Sequence, residues 1–295
     1  MRHLLEIDDL TAGELGEVLD LARGEHSRPV LAGKGVALLF EKPSARTRNS
    51  MEMAVVGLGG HPLTIRPDEV GMDERETAED IARTLGCYHA VIGARVFDHT
   101  VLDRMAAVSP VPVVNMLSDD AHPLQALADL LTITDEFGDR DDLEVAYVGD
   151  ANNVARSLAL VCGLAGIGVR IASPDGFGFS PSDMAQLERV GVRLTVTSDP
   201  AEAVAGADAV YTDVWASMGQ EAEAEARTAA FAGFTVDEAL MSHAADDAVF
   251  LHCLPAHRGQ EVAASVVDGP RSRVWPQAAN RMRAARGALH WLVTR

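Results

Sequence analysis

The 295-residue sequence lacks the marks of several protein classes. Its three cysteines, Cys87, Cys162 and Cys253, are far apart and without Cys-x-x-Cys spacing, which argues against a disulfide framework or a zinc finger and favours a reducing compartment. No apolar run is long enough to span a bilayer, so no membrane association is expected. Acidic side chains within the first nine residues stand where a signal peptide needs apolar ones, so a cytoplasmic location is expected.

Positive charge is also scarce. Lysine and arginine together number 25 against 44 acidic residues, a formal net charge of -19, and the two lysines are Lys34 and Lys42. A nucleic-acid partner held by a broad basic surface is therefore disfavoured. A salt-adapted proteome and a GC-rich genome explain this composition equally well. If the protein handles an anion, its arginines must be concentrated where the anion binds.

The length and the pattern of apolar residues predict an α/β fold with two lobes, each an open, mainly parallel sheet flanked by helices. A polar stretch at 135–142 is the predicted domain boundary. Residues 277–292 have a helical pattern. Strands are predicted at 36–40, 90–94, 111–115, 143–148, 169–172, 193–197, 209–212 and 248–251.

The turn after the first predicted strand combines two hydroxyls with two arginines. Ser44, Arg46, Thr47 and Arg48 stand where a helix begins, and a helix start offers backbone N–H groups and the positive end of the dipole to an anion. The alternative is an ordinary helix cap, with Ser44 as the capping residue and the arginines exposed. The local sequence favours neither interpretation.

Other polar residues also follow predicted strands, where open α/β sheets bind ligands. In the first half these are Arg95, His122 and Gln125. In the second half, a turn at 149–154 lacks the later glycines of a dinucleotide-binding loop, and Asp213 follows a strand. Taken singly, each is better explained by capping or by surface exposure.

Together, these segments resemble the aspartate/ornithine carbamoyltransferase family over essentially the whole chain. The matching motifs occur in the family's order: SARTR at 44–48, HPLQ at 122–125, Asp213 with SMG at 217–219, HCLP at 252–255 and NRM at 280–282. The first two indicate carbamoyl phosphate, and the second-half motifs resemble the ornithine branch. The resemblance implies a carbamoyl-phosphate-binding domain at 1–136, completed by a C-terminal helix at 276–295 that returns to it, and an ornithine-binding domain at 137–275.

The resemblance also implies a role for individual residues. Carbamoyl phosphate would be held by Ser44, Ala45, Arg46, Thr47, Arg95, His122, Gln125, Cys253, Leu254 and Arg281. Ornithine would be held by Asn153, Asp213, Ser217 and Met218. The residues expected to act in the reaction are Arg46, Arg95, His122, Asp213 and Cys253, with His122 polarising the carbonyl. No metal or organic cofactor is implied.

The implied activity transfers the carbamoyl group to the δ-amino group of ornithine, giving citrulline and phosphate in arginine biosynthesis. The implied assembly is a homotrimer with active sites near subunit interfaces. Alternatives are carbamoyl transfer to putrescine or N-acetylornithine, a nucleotide-binding oxidoreductase, and a catalytically silent paralogue. The missing glycines disfavour the oxidoreductase.

Two positions depart from the family pattern. Ala45 replaces a hydroxyl residue but keeps its N–H group. Glu69 stands where the ornithine branch carries a glutamine that reaches a neighbouring subunit's phosphate site. Two expectations follow: either Glu69 pairs with Arg46 or Arg48 and Arg75 contacts the phosphate, or carbamoyl phosphate binds more weakly.

Overall fold

Strands alternate with helices along the residues that the computed structural model describes, 1–24, 28–138, 140–216 and 223–295. These residues form two units, one of residues 1–128 with 279–295 and one of residues 129–278. The division falls within a helix, upstream of the polar stretch at 135–142. None of the helices among the described residues combines the length and apolarity needed to cross a bilayer.

The first unit is built around a parallel four-stranded sheet. Its strands are β1 (Gly35–Phe40), β2 (His61–Ile65), β3 (His89–Arg95) and β4 (Val113–Leu117), in the order β2-β1-β3-β4. Its helices before the division are α1 (Ala12–Arg23), α2 (Ala45–Gly57), α3 (Pro67–Val70), α4 (Ala78–Gly86), α5 (His99–Val108) and the first part of α6 (Pro123–Phe137). Buried side chains from β1, β3, α4 and α5 pack into one apolar cluster.

The second unit contains a parallel five-stranded sheet. Its strands are β5 (Glu144–Val148), β6 (Gly168–Ala172), β7 (Leu194–Thr197), β8 (Ala209–Thr212) and β9 (Val249–His252), in the order β7-β6-β5-β8-β9. Its helices are α7 (Asn153–Leu164), α8 (Pro181–Val190), α9 (Pro200–Val204), α10 (Ala224–Ala230), α11 (Glu238–Met241) and α12 (Ala264–Val267), and α13 (Val274–Val293) begins in it.

The predicted fold class, two mainly parallel α/β lobes, is confirmed. Each predicted strand overlaps an observed one within a few residues. The strand β2 was not predicted. It lies at the edge of its sheet, contains Pro62 and exposes His61 and Leu63, so it lacks the continuous apolar run that marks a buried parallel strand.

The C-terminal helix α13 joins the first unit from Ala279 onward, which confirms its predicted return. The approach to α1 is close because residue 287 is glycine: a Cβ atom there would lie 2.5 Å from the carbonyl oxygen of Val18 and 2.8 Å from the amide nitrogen of Ala22. The Arg286 guanidinium donates to the carbonyl oxygen of Ala22 at 2.7 Å. The two helices are therefore joined by backbone proximity as well as by side chains.

Gly287→Ala is expected to lower the free energy of unfolding by about 1 to 3 kcal/mol, because the new methyl group meets backbone atoms that cannot move independently. Gly16→Ala in α1 is the matched control. A Cβ atom at Gly16 has no neighbour within 4 Å among the described residues, so alanine there should stabilise by up to about 1 kcal/mol. Urea unfolding measures both, and equal effects of the two substitutions would contradict the proposed packing.

Candidate active site

The turn between β1 and α2 builds a helix start with hydroxyl groups. Ser44 has extended backbone angles and caps α2, since its Oγ accepts from the Thr47 N–H at 3.3 Å. The Ser44 hydroxyl also donates to the Thr47 Oγ1 at 3.2 Å. Ala45 is the first residue of α2. It has no hydroxyl group, but it keeps the backbone N–H group at the start of the helix. Both interpretations of the sequence, cap and anion cradle, are thus compatible with the same geometry.

Two arginines converge on the Thr47 hydroxyl. Arg95, at the end of β3, donates to the Thr47 Oγ1 at 3.3 Å, and Arg281, on α13, donates to it at 3.2 Å. All three residues are buried. Two positive side chains beside the start of a helix favour the binding of an anion there. Arg95 and Arg281, which both contact Thr47, are called the arginine pair below.

His122 and Gln125 adjoin the arginine pair at the start of α6. The Arg281 guanidinium lies 3.4 Å from the His122 Nε2 and donates to the Gln125 Oε1. Burial, followed by the positive charges of Arg281 and Arg95, holds the pKa of His122 well below its ordinary value of 6.5. His122 is therefore a neutral imidazole at neutral pH, with one N–H donor and one acceptor nitrogen.

This low pKa predicts how His122 affects stability. In the unfolded chain His122 takes up a proton near its ordinary pKa, whereas in the folded chain it stays neutral to lower pH. Its contribution to the free energy of unfolding is present above pH 6.5 and falls as the pH decreases below that value, by at most about 1.4 kcal/mol per pH unit. Urea unfolding at several pH values should give a shallower acid loss for His122→Asn than for the unsubstituted protein. Identical losses would contradict this assignment.

The other two predicted arginines do not join the arginine pair. Arg48 is paired with Glu52 at 2.9 Å, and 55% of its side chain is exposed. Arg46 is exposed on the first turn of α2. Arg48 instead has an acidic partner on its own helix, because the i,i+4 spacing on α2 places Glu52 beside it.

Glu69 also has a different partner from the predicted one. Its carboxylate accepts from the Arg66 backbone N–H at 2.7 Å, and the Arg66 Nε lies 4.0 Å away. Arg75 donates to the Glu69 carbonyl oxygen at 2.9 Å. Within this chain, therefore, Glu69 does not pair with Arg48, and Arg75 stabilises the loop that carries Glu69.

In the second unit a carboxylate and a thiol meet at the ends of neighbouring strands. Asp213 follows β8 and is buried; its Oδ1 accepts from the Cys253 thiol at 2.9 Å, and its Oδ2 accepts from the Asn152 amide at 3.2 Å. Asn152 also caps α7. The predicted residue, Asn153, is the next in the chain, and its Oδ1 accepts from the Val154 N–H at 3.0 Å.

Buried polar groups support the segment that carries Cys253. The His252 backbone N–H donates to the Gln277 Oε1 at 3.0 Å, and the His252 Nδ1 accepts from the Leu254 N–H at 2.9 Å. The His252 Nε2 lies 3.3 Å from the buried carboxylate of Glu261. Leu254 has a positive φ of 62°, an unfavourable conformation for a branched side chain. These contacts hold the strained turn in place.

Among the described residues, Asp213, His252 and Cys253 bring potential metal ligand atoms within 4.8 Å of one another. Both ring nitrogens of His252 are already engaged, one by Leu254 and one by Glu261. A metal ion would have to displace one of these contacts. The geometry therefore favours polar contacts to a substrate over a resident metal.

The contacts of Arg227 in this unit were not predicted from the sequence. Arg227 on α10 donates to the Asp150 carboxylate at 2.6 Å and to the Trp215 carbonyl oxygen at 3.0 Å. No local motif marks this pair, because its two halves are far apart in the chain. The predicted ornithine contacts Ser217 and Met218 lie outside the described residues.

Family models of known proteins match nearly the whole chain. Residues 2–135 match the family model of the aspartate/ornithine carbamoyltransferase carbamoyl-P binding domain, and residues 141–292 match its Asp/Orn binding domain. A relative named ornithine carbamoyltransferase, from Acidothermus cellulolyticus, is 48% identical over 99% of this chain and 97% of its own length.

Solved structures agree with the sequence comparison. The ornithine carbamoyltransferase of Thermus thermophilus has a TM-score of 0.90 at 45% identity, with 99% of each chain covered. That of Pyrococcus furiosus has a TM-score of 0.95 at 42% identity, covering 99% of this chain and 97% of that one.

Proposed function

We propose, from the premise that this chain belongs to the aspartate/ornithine carbamoyltransferase family, that it transfers the carbamoyl group of carbamoyl phosphate to the δ-amino group of ornithine. The products are citrulline and phosphate. The single observation that carries the proposal is the convergence of Arg95 and Arg281 on Thr47 at the start of α2, because positive side chains and the N–H groups of a helix start together favour an anion.

The first unit, residues 1–128 with 279–295, would hold carbamoyl phosphate. Ser44, Thr47 and the first N–H groups of α2 face the phosphate, and the arginine pair neutralises it. His122 is neutral and so donates one N–H to the carbonyl oxygen, where negative charge develops. Arg46 and Gln125 complete the proposed phosphate and carbamoyl contacts.

The second unit, residues 129–278, would hold ornithine. The Asp213 carboxylate suits the α-ammonium group, and Asn152 and Asn153 supply amide donors and acceptors. Ser217 and Met218 are proposed contacts on the basis of the family motif. Cys253 and Leu254 would line the region where the substrates react, with the thiol fixed by Asp213.

The reaction needs ornithine's δ-amino group in its neutral form. Its nitrogen forms a bond to the carbonyl carbon, the bond from that carbon to the phosphate oxygen breaks, and phosphate departs with the electron pair. The nitrogen loses one proton in the process, and the departing phosphate takes it up. Positive groups at Arg95 and Arg281 stabilise both the developing oxyanion and the departing phosphate, and positioning of two bound substrates supplies much of the remaining rate.

The cellular setting and the assembly are parts of the same proposal. We infer a cytoplasmic enzyme of arginine biosynthesis that forms a homotrimer. In that assembly the loop with Glu69 would approach a neighbouring subunit's phosphate site. Arg66 holds the Glu69 carboxylate, and Arg75 holds the Glu69 main-chain carbonyl oxygen.

Phosphate release in the presence of carbamoyl phosphate and one amine at a time tests the proposal. Ornithine should give turnover. N-acetylornithine and putrescine should give little, because neither offers Asp213 the free α-amino acid group of ornithine, and aspartate should give little because it has no δ-amino group. Absence of turnover with ornithine at both low and high salt would contradict the proposed function. Preference for another amine would leave carbamoyl transfer intact and change the acceptor.

A further inference from the structure

Three turns of the first unit each supply part of the anion site. Residues 41–47 follow β1, residues 96–98 follow β3, and residues 118–122 follow β4, and these strands are neighbours in the sheet. Thr47 and His122 lie in two of these turns, and Arg95 directly precedes the third. The contacts of Thr47 and His122 with the two arginines span 3.2 to 3.4 Å, so small displacements of one turn would break them.

Lys42 lies in the turn after β1 and contacts both of the other turns. Its side chain is only 7% exposed, and its ammonium group pairs with the Asp119 carboxylate and lies 4.2 Å from the centroid of the Phe97 ring. A buried ammonium group is costly unless it is paired, so this lysine must stay where both partners are within reach.

Backbone contacts complete the connection. The Glu41 N–H donates to the Arg95 carbonyl oxygen at 2.8 Å, and the Glu41 carboxylate accepts from the Phe97 N–H at 2.9 Å. The Asp119 N–H donates to the Phe97 carbonyl oxygen at 2.8 Å. Glu41, Lys42, Phe97 and Asp119 therefore form a closed ring of contacts across the three turns, called the turn lock below.

We infer that Lys42 is a positioning residue for carbamoyl phosphate: through Asp119 and Phe97 it fixes the spacing of Thr47, Arg95 and His122. The inference rests on the proposed function of this site. The rival role for a buried lysine here is direct contact with phosphate. The two roles differ in the expected effect of Asp119, whose negative charge opposes anion binding electrostatically but, in the turn lock, keeps the site assembled.

Lys42→Met should raise the KM for carbamoyl phosphate by about ten- to a hundredfold, because a displacement of about 1 Å in a site of this kind has effects of that order. The KM for ornithine at saturating carbamoyl phosphate should stay within about twofold, since ornithine is assigned to the second unit. Asp119→Asn should change the KM for carbamoyl phosphate in the same direction. The double variant should be no worse than Lys42→Met, because both changes break one contact.

Control variants distinguish a loss of positioning in the carbamoyl phosphate site from a loss of folding. Lys34→Met removes the chain's other lysine, which is exposed, and should leave both KM values unchanged. Lys42→Arg keeps the charge and should restore part of the affinity. Thermal unfolding checks folding, and if Lys42→Met does not fold, Asp119→Asn and Lys42→Arg carry the test, since 60% of the Asp119 side chain is exposed.

A tighter or unchanged KM for carbamoyl phosphate in Asp119→Asn would overturn the inference and assign Lys42 to the phosphate itself. Unchanged kinetics in Lys42→Met would also overturn it. In both cases the unsubstituted enzyme still turns over ornithine, so the proposed function stands. Absence of that turnover would instead overturn both.

Discussion

Replacing Arg281 with methionine is expected to lower kcat/KM for carbamoyl phosphate by about a hundred- to a thousandfold. Arg281 contacts Thr47, His122 and Gln125 together, so it joins the phosphate end of the site to the carbonyl end. Lysine at this position should not restore activity, because a single ammonium group cannot reproduce the planar fork that spans these partners. Steady-state kinetics with carbamoyl phosphate varied at saturating ornithine measures the effect.

The same substitution should abolish phosphate binding without lowering the stability of the anion-free protein. Without anion, Arg281→Met removes a positive charge near that of Arg95 but also loses the hydrogen bonds of Arg281, so the melting temperature should stay close to that of the unsubstituted protein. Stabilisation by inorganic phosphate, which shifts the melting temperature of a protein that binds it, should be lost. Arg283→Met, two residues along α13, is the control and should keep both kinetics and phosphate stabilisation. Loss of activity with retained phosphate stabilisation would contradict the role assigned to Arg281.

Asp213→Asn is expected to raise the KM for ornithine by at least about thirtyfold, because removing one partner of a buried charge pair costs about 2 kcal/mol or more. The same change also weakens the contacts with the Cys253 thiol and the Asn152 amide that orient this part of the second unit. The KM for carbamoyl phosphate should change little, since its proposed ligands lie mainly in the first unit. Initial rates with each substrate varied in turn distinguish these outcomes.

Asp208 offers a matched control at the opposite end of the same strand. Asp208 precedes β8, is as buried as Asp213 and pairs with Arg140 at 2.6 Å. Asp208→Asn should therefore lower stability without changing ornithine saturation. If Asp208→Asn and Asp213→Asn raised the KM for ornithine equally, the effect would come from damage to β8 rather than from a substrate contact.

The fold was largely predictable because parallel strands buried on both faces leave continuous apolar runs. The edge strand β2 was missed because two of its five residues are exposed and Pro62 interrupts the pattern. The return of α13 could not be read from local sequence at all. It depends on Gly287 fitting against α1, a contact between residues at opposite ends of the chain.

The anion site was predictable only in part. Ser44 and Thr47 carry a local signal, a hydroxyl pair at a helix start, whereas Arg281 depends on the fold to reach them. Arg48 has the same residue type as Arg95 but is paired by Glu52 one turn away, so residue type alone gives the wrong set of cations. Lys42 gives no signal in the sequence, because its partners Phe97 and Asp119 lie on other turns.

The most direct test of the central claim follows the carbamoyl carbon. The protein is incubated with 13C-labelled carbamoyl phosphate and ornithine, and 13C NMR identifies the labelled product while phosphate is assayed in the same sample. Carbamoyl transfer predicts labelled citrulline, with the carbon bonded to the δ-nitrogen, in a one-to-one ratio with phosphate. Phosphate formed without labelled citrulline, or label on another nitrogen, would contradict it.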